Sequence, residues 1–418
     1  MDLKLILQTI STVFIIVTSI CYAYQFVYLF ISLLSKKRIT KSDKLNRYAV
    51  LIPARNEEKV LPNLIESIHL QDYPAELITI YVIADNCTDN TAKVALDSGA
   101  KVFTRFSTEQ IGKGYALNYL LREIDKTDGL ESFDAFLVFD ADNLLQRDYI
   151  RQINHLYADG YDAFCGYRNT KNFGSNWISA GYGVWYLHDS THLNRSRMAV
   201  GASCMVNGTG FGFSREVLRK CGQWEFFTLT EDIEFSVWCA ANGIKIGYCH
   251  DAILYDEQPI TFPQSWRQRT RWVQGGIQIL FKRSKELFRG MVKGGWRSYS
   301  CIEFATLSAW GYILGILSGI TASAATIVNY GVDAFLISLP FALISSYLSL
   351  LAVGAWTVLT EWNRIRAKTR HKILGVFAFP MYMLTFIPIA IFAPFCKFQW
   401  TPVDHTVAVS ESDMITQI

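Results

Sequence analysis

Two carboxylates separated by one residue, Asp140-Ala141-Asp142, follow the apolar run Phe133 to Phe139 (FDAFLVF). A strand ending there lets both carboxylates turn toward one point, and such hard oxygen ligands suit Mg²⁺ or Mn²⁺ bridging a nucleoside diphosphate. Taken alone, the pair also fits a solvated turn. Asp85 opens a second polar segment, Asp85-Asn-Cys-Thr-Asp-Asn-Thr91, after the apolar run Ile78 to Ala84. Its carboxylate can accept hydrogen bonds from a base or ribose, or Asp85 and Thr88 can serve as caps of a helix starting near Asp89. Gly112-Lys113-Gly114 introduces another helical pattern, where backbone amides and the Lys113 ammonium suit a diphosphate. The spacing is not that of a P-loop, so a Walker-type ATPase is unsupported.

Three further clusters carry chemistry. In Leu229-Thr-Glu-Asp-Ile233, Thr230 can cap a helix running to Gly243, with Glu231 and Asp232 in its first turn. The helix dipole alone would favour acids there, while one of the two carboxylates can act as general base on an acceptor hydroxyl. The glycines of Gly208-Thr-Gly-Phe-Gly212, Gly208 and Gly210 above all, allow close approach of backbone to a sugar, or simply mark a bend in a strand. After Pro263, a helical pattern puts Gln268, Arg271 and Trp272 on neighbouring faces. Arginine there can neutralise a leaving diphosphate and an indole can stack on a sugar, although basic and aromatic residues also favour a lipid interface.

These residues need a scaffold, and the sequence between 45 and 145 describes one. Tyr48 to Pro53 (YAVLIP) reads as a buried strand, Glu57 to His69 as an amphipathic helix, and Ile78 to Ala84 as the next strand; the alternation then repeats. That is the pattern of an α/β fold, a parallel sheet covered by helices, in which ligands bind at the carboxyl ends of strands.

Four uncharged runs surround this unit: Leu5 to Ser35, Phe304 to Val332, Ala334 to Thr360 and Ile373 to Cys396. Each exceeds the roughly 20 residues that cross a bilayer. The first is too long for the apolar part of a cleavable signal and precedes Lys36-Lys37-Arg38, so it reads as an anchor. Lys36, Lys37, Arg38 and Lys41 after it, and Arg364, Arg366, Lys368, Arg370 and Lys372 between the third and fourth runs, put those loops in the cytosol. The expected division is an anchor over 1–36, a cytosolic catalytic domain over 37–300 with an interfacial helix near 263–290, about three spans over 301–398, and a tail over 399–418 placed outside. Pro380, Pro388 and Pro394 leave open a re-entrant final run that returns the tail to the cytosol. Nine scattered cysteines without a C-x-x-C pair indicate neither a zinc site nor a disulfide framework, and a net charge of +3 argues against nucleic-acid binding.

Taken in order, these motifs resemble those of family 2 glycosyltransferases of the cellulose, chitin and hyaluronan synthase type, over residues 45 to 300. The one-plus-three arrangement of spans is similar to that of chitin-oligosaccharide synthases. The resemblance implies a GT-A fold, a UDP-sugar donor contacted by Asp85, Lys113, Gln268 and Arg271, and Mg²⁺ or Mn²⁺ on Asp140 and Asp142. It further implies Asp232, beside Glu231, as base of an inverting transfer, and Trp272 with Gly208 and Gly210 at the acceptor. A glycan-elongating synthase is the leading expectation, with the membrane helices receiving product and a homo-oligomer or export partner completing a channel. Transfer to a membrane lipid is the alternative, and a catalytically silent membrane protein that only binds nucleotide or glycan is a third. No gating-loop motif is found in Glu361 to Lys372.

Overall fold

The computed structural model describes residues 3–34, 39–307 and 309–397. Lys36, Lys37, Arg38 and the tail over 399–418 lie outside the described residues. An apolar helix, α1 (Leu3–Leu34), comes first. The catalytic unit then alternates β1 (Tyr48–Ala54), α2 (Leu61–His69), β2 (Ile78–Asp85), α3 (Thr91–Asp97), β3 (Lys101–Arg105), α4 (Lys113–Thr127) and β4 (Ala135–Val138). It continues through β5 (Leu144–Leu145), α5 (Tyr149–Ala158), β6 (Ala163–Thr170), α6 (Trp177–His188), α7 (Arg195–Val200), β7 (Phe211–Ser214), α8 (Arg215–Lys220), α9 (Glu231–Ala241) and β8 (Ile246–Asp256). A long helix, α10 (Phe262–Met291), and α11 (Gly295–Leu307) lead to the apolar helices α12 (Ala309–Tyr330), α13 (Val332–Thr360), α14 (Thr369–Leu384) and α15 (Phe386–Phe392).

The eight strands among the described residues form one sheet in the order β3-β2-β1-β4-β7-β6-β8-β5. The first four are parallel, and β7 runs antiparallel between β4 and β6. Central strands are apolar on both faces because helices cover both: β1 and β4 are buried almost throughout. The chain reverses its winding between β1 and β4, so the crevice beyond their carboxyl ends collects the loops carrying Asp85 and Asp140.

Local expectations need three corrections. The strand over Lys101–Arg105 is absent from the sequence reading because KVFTR is short, mostly accessible and at the sheet edge. The helix expected from Glu57 starts at Leu61. The one expected near Asp89 starts at Thr91 without a side-chain cap; Thr88 instead turns to Asn56, whose Oδ1 accepts its N–H at 2.8 Å.

Among the described residues four helical stretches are long and apolar enough to cross a membrane: Leu3–Leu34, Trp310–Tyr330, Val332–Thr360 and Thr369–Phe395. They pack principally as a row, α1 on α12, α12 on α13 and α13 on α14. The last stretch is also bound to the catalytic unit. His371 packs over Gly174, Tyr382 fills the space left by Gly181 on α6, and Phe379 joins the main core. α14 ends at Leu384, one residue before α15, and there Arg269 of α10 donates to the Tyr382 carbonyl at 3.0 Å and to Thr385 Oγ1 at 2.6 Å. Further on, Gln274 Nε2 donates to the carbonyls of Ala393, Cys396 and Lys397 at 3.1, 3.3 and 3.4 Å.

Candidate active site

A cavity of about 360 Å³ opens where the carboxyl ends of β1, β2 and β4 face α9 and α10. Asp85, Lys113, Asp140, Asp142, Gly208, Glu231, Asp232, Gln268, Arg271 and Trp272 all line it. Ten of the eleven residues singled out in the sequence therefore meet in one place. Gly210 does not line it. Its backbone (φ +64°) passes under β8, where a Cβ would fall 1.8 Å from Leu254 Cδ2, so its smallness serves packing.

Gly208 is the hub. With φ at +82° it turns its N–H to Asp232 Oδ2 (2.5 Å) and its carbonyl to Lys113 Nζ (2.6 Å). Lys113 also donates to Asp140 Oδ1 at 2.5 Å and lies 4.0 Å from Glu231 Oε1. Burial opposes its charge, but Asp140 and Glu231 outweigh that and hold the ammonium above the usual lysine range. The neighbouring Thr209 accepts the Asp140 N–H at 2.9 Å. One short loop thus ties the Asp140 turn to the first turn of α9.

Glu231 and Asp232 are both buried, and burial pushes both carboxyls above their ordinary range. Asp232 adds to the rise at Glu231, and Lys113 pulls both back down. Thr230 does not cap α9 with its side chain; Gly275 of α10 packs against it, fixing α10 beside the acidic turn.

At the end of β2, Asp85 pairs with Arg105 (Oδ1 to Nη1, 2.7 Å), both nearly enclosed. Burial raises the Asp85 carboxyl and Arg105 offsets part of the rise. Behind Asp142, the Glu257 N–H donates to Oδ2 at 3.0 Å, and Asp256 pairs with Arg168, whose Nε donates at 3.0 Å. Burial raises Asp256 to about 6 against the pull of Arg168. The Arg168 guanidinium lies 3.7 Å over the Tyr186 ring and donates to the Asn207 carbonyl at 2.5 Å. Asn207 Nδ2 in turn donates to Asp189, a buried cavity-lining carboxyl raised to about 6 by burial.

Arg105, Arg168, Asp189, Asn207 and Asp256 went unnoticed in the sequence. Asp256 had a readable signal, since it ends a strand as Asp85 does; the others are isolated polar residues, Arg105 meeting Asp85 20 positions away, Arg168 meeting Asp256 88 away, and Asp189 meeting Asn207 18 away.

On the α10 wall, Gln268 Oε1 and Arg271 Nε are buried without a hydrogen-bond partner among the described residues. Orphaned polar groups facing a cavity are costly unless a ligand meets them. Trp272 stands edge-on to Tyr182 (5.8 Å between ring centroids) and stacks near Phe386 at 6.5 Å. No group of three or more His, Cys, Asp or Glu suited to an ion occurs among the described residues. Two carboxylates still fit Mg²⁺ or Mn²⁺, which commonly take their remaining ligands from phosphates and water.

The chain is 27% identical over 236 residues to a β-monoglucosyldiacylglycerol synthase of Synechocystis, a match covering 55% of this chain and 47% of that one. It is 26% identical over 254 residues to a poly-β-1,6-N-acetyl-D-glucosamine synthase of Staphylococcus aureus, covering 60% and 59%. A mannosyltransferase from Pyrobaculum calidifontis, solved with GDP-Man and Mn²⁺, superposes with a TM-score of 0.57 at 16% identity, over 92% of this chain and 99% of that one. A profile described as glycosyltransferase like family 2 matches residues 46–275, more than half of the sequence. With that match on the sheet and cavity just described, the chain belongs to the family-2-like glycosyltransferases and carries their GT-A fold.

Proposed function

We propose that this enzyme transfers a sugar from a UDP-sugar, with inversion, to a hydroxyl on a membrane lipid. The observation that carries the acceptor assignment is the lining of the cavity. Besides Asp140 and Asp232 it is lined by Leu193, Met205 and Ile233, by Leu307 at the end of α11, and by Tyr312 in the first turn of an apolar helix able to span a membrane. Apolar walls suit a lipid, whereas a glycan asks for polar partners. The row of apolar helices supports the same choice, because a row encloses no bore for a polymer.

Asp85 would take the uridine or its ribose, with Arg105 keeping the carboxylate ionised. Asp140 and Asp142 would hold Mg²⁺ or Mn²⁺, which supplies positive charge to the departing diphosphate. Arg271 and Lys113 add fixed positive charge at the same place, where negative charge develops as the sugar leaves. Asp232 takes the proton of the acceptor hydroxyl, and its Gly208 hydrogen bond aims one oxygen. Attack from the face opposite the diphosphate gives a β-linkage from an α-configured donor.

The basic loops support a cytosolic catalytic unit with α1, α12 and α13 as crossings. Since Gln274 of the catalytic helix binds the carbonyls of Cys396 and Lys397, we assign the end of the final apolar run to that same side. This reading favours the re-entrant alternative over an outward tail.

Chain elongation is the second reading, supported by similarity to the staphylococcal polysaccharide synthase and by Trp272 in the cavity wall. Membranes carrying the protein, given labelled UDP-glucose, UDP-galactose, UDP-N-acetylglucosamine or GDP-mannose with Mg²⁺ or Mn²⁺, separate the two. Label in the organic phase on a single-sugar lipid, lost in Asp232→Asn, is the expected result. A water-soluble ladder of products would overturn the lipid assignment.

A further inference from the structure

The second half of α10 and the residues just after it carry a face that the transfer reaction does not use. Phe281, Phe288 and Val292 are 81%, 51% and 82% exposed, and their spacing of seven and eleven residues puts them on one stripe. Lys285, Arg289 and Lys293 are exposed along the flank of that stripe. Among the described residues none of the three forms an ion pair, and Glu286, the one acid between Phe281 and Lys293, is bound to Arg283 at 2.9 Å. Lys282 and Arg283 turn away to the buried Glu234, at 2.7 and 2.8 Å.

The depth of this face is fixed by Phe288, whose ring meets Trp310 at 5.9 Å between centroids. Trp310 is the first residue of the apolar stretch Trp310–Tyr330. Tryptophan at the end of a span marks the headgroup level, so the stripe lies where acyl chains meet headgroups. Ile302, 49% exposed on α11, extends the apolar band toward the same span.

We propose that this face docks on the cytosolic leaflet and selects anionic lipid headgroups: Phe281, Phe288 and Val292 enter the interface while Lys285, Arg289 and Lys293 pair with phosphate. Aromatic and aliphatic groups flanked by basic ones match such a surface in both polarity and charge. A second copy of the chain would present the same cations to themselves, which disfavours it as the occupant.

The test uses the full-length protein in nanodiscs holding one copy, made from phosphatidylcholine alone or with about 30% phosphatidylglycerol, a content in the range of anionic leaflets. Chymotrypsin cleavage after Phe281 and Phe288 is followed by mass spectrometry. Cleavage is expected to be several-fold slower in the anionic discs. About 0.5 M salt should erase the difference by screening, and so should the triple variant K285Q/R289Q/K293Q, with cleavage elsewhere and thermal stability unchanged. Equal rates in the two disc types overturn the proposal. So does protection in zwitterionic detergent that grows with protein concentration, which would make the occupant a second copy. The readout is independent of sugar transfer, so it stands or falls apart from the acceptor assignment.

Discussion

Alanine at each of the two glycines of the hub loop should have opposite consequences. At Gly210, φ is +64° and a Cβ would lie 1.8 Å from Leu254 Cδ2 and 3.2 Å from the Tyr149 hydroxyl. A left-handed conformation costs an L-residue about 1–2 kcal/mol, and forcing a methyl into a packed core costs about 1–3 more. A loss of roughly 2–5 kcal/mol lowers Tm by roughly 5–15 °C for a unit of this size. Gly210 is outside the cavity, so at temperatures where the protein stays folded, Gly210→Ala should transfer sugar at nearly the normal rate. At Gly208 a Cβ would meet only the Arg168 guanidinium, at 3.1 Å, a contact that a shift of a few tenths of an ångström relieves, so Tm should fall by a few degrees. The residue's N–H and carbonyl hold Asp232 and Lys113, and a hydrogen bond to a charged group contributes about 1.5–3 kcal/mol. Losing one in the transition state slows turnover by about 10- to 150-fold. Thermal unfolding and initial rates on the two purified variants decide it. If Gly208→Ala keeps its rate, or both variants lose rate and stability in parallel, the hub does not hold the reacting groups.

Other consequences can be measured separately. Burial raises the Glu231 and Asp232 carboxyls, and the base works only when deprotonated, so kcat/KM should fall with decreasing pH well above the usual carboxylate range. Lys113→Gln removes the cation that lowers both groups and should move that limb to still higher pH; an unmoved limb would take these carboxylates out of the rate profile. Arg105→Ala strands the Asp85 carboxylate, a loss of about 3–5 kcal/mol for a buried pair. Its Tm should drop and donor KM rise, and Asp85→Asn in the same chain should recover part of the Tm. A periplasm-active and a cytosol-active reporter fused after Ile418 should give signal only from the cytosolic one; the reverse would mean that the last apolar run crosses.

How far the sequence alone led depended on how local each cause is. Buried strands such as YAVLIP announce themselves by unbroken apolar character, and Asp85 and Asp140 follow from sitting where such runs stop. Glycine is ambiguous in a linear reading, because it serves close approach to a ligand and close packing of the chain alike; only the position of Leu254 distinguishes Gly210 from Gly208. Arg105, Arg168 and Asn207 have no local signature, since each matters through a partner brought near by the sheet. The final run is ambiguous for a related reason. Its composition is that of a span, and the contacts that also tie it to α6 and α10, the notch at Gly181 and the side chains of Arg269 and Gln274, are far from it in the sequence.

The arrangement of apolar helices in a row rather than a ring leaves the membrane side of the cavity to be closed by whatever surrounds the protein. For a lipid acceptor, the bilayer is then both the reservoir and part of the wall. Acceptor availability is set by mole fraction within the leaflet and not by amount per volume, and a detergent micelle changes the shape of the site along with its supply.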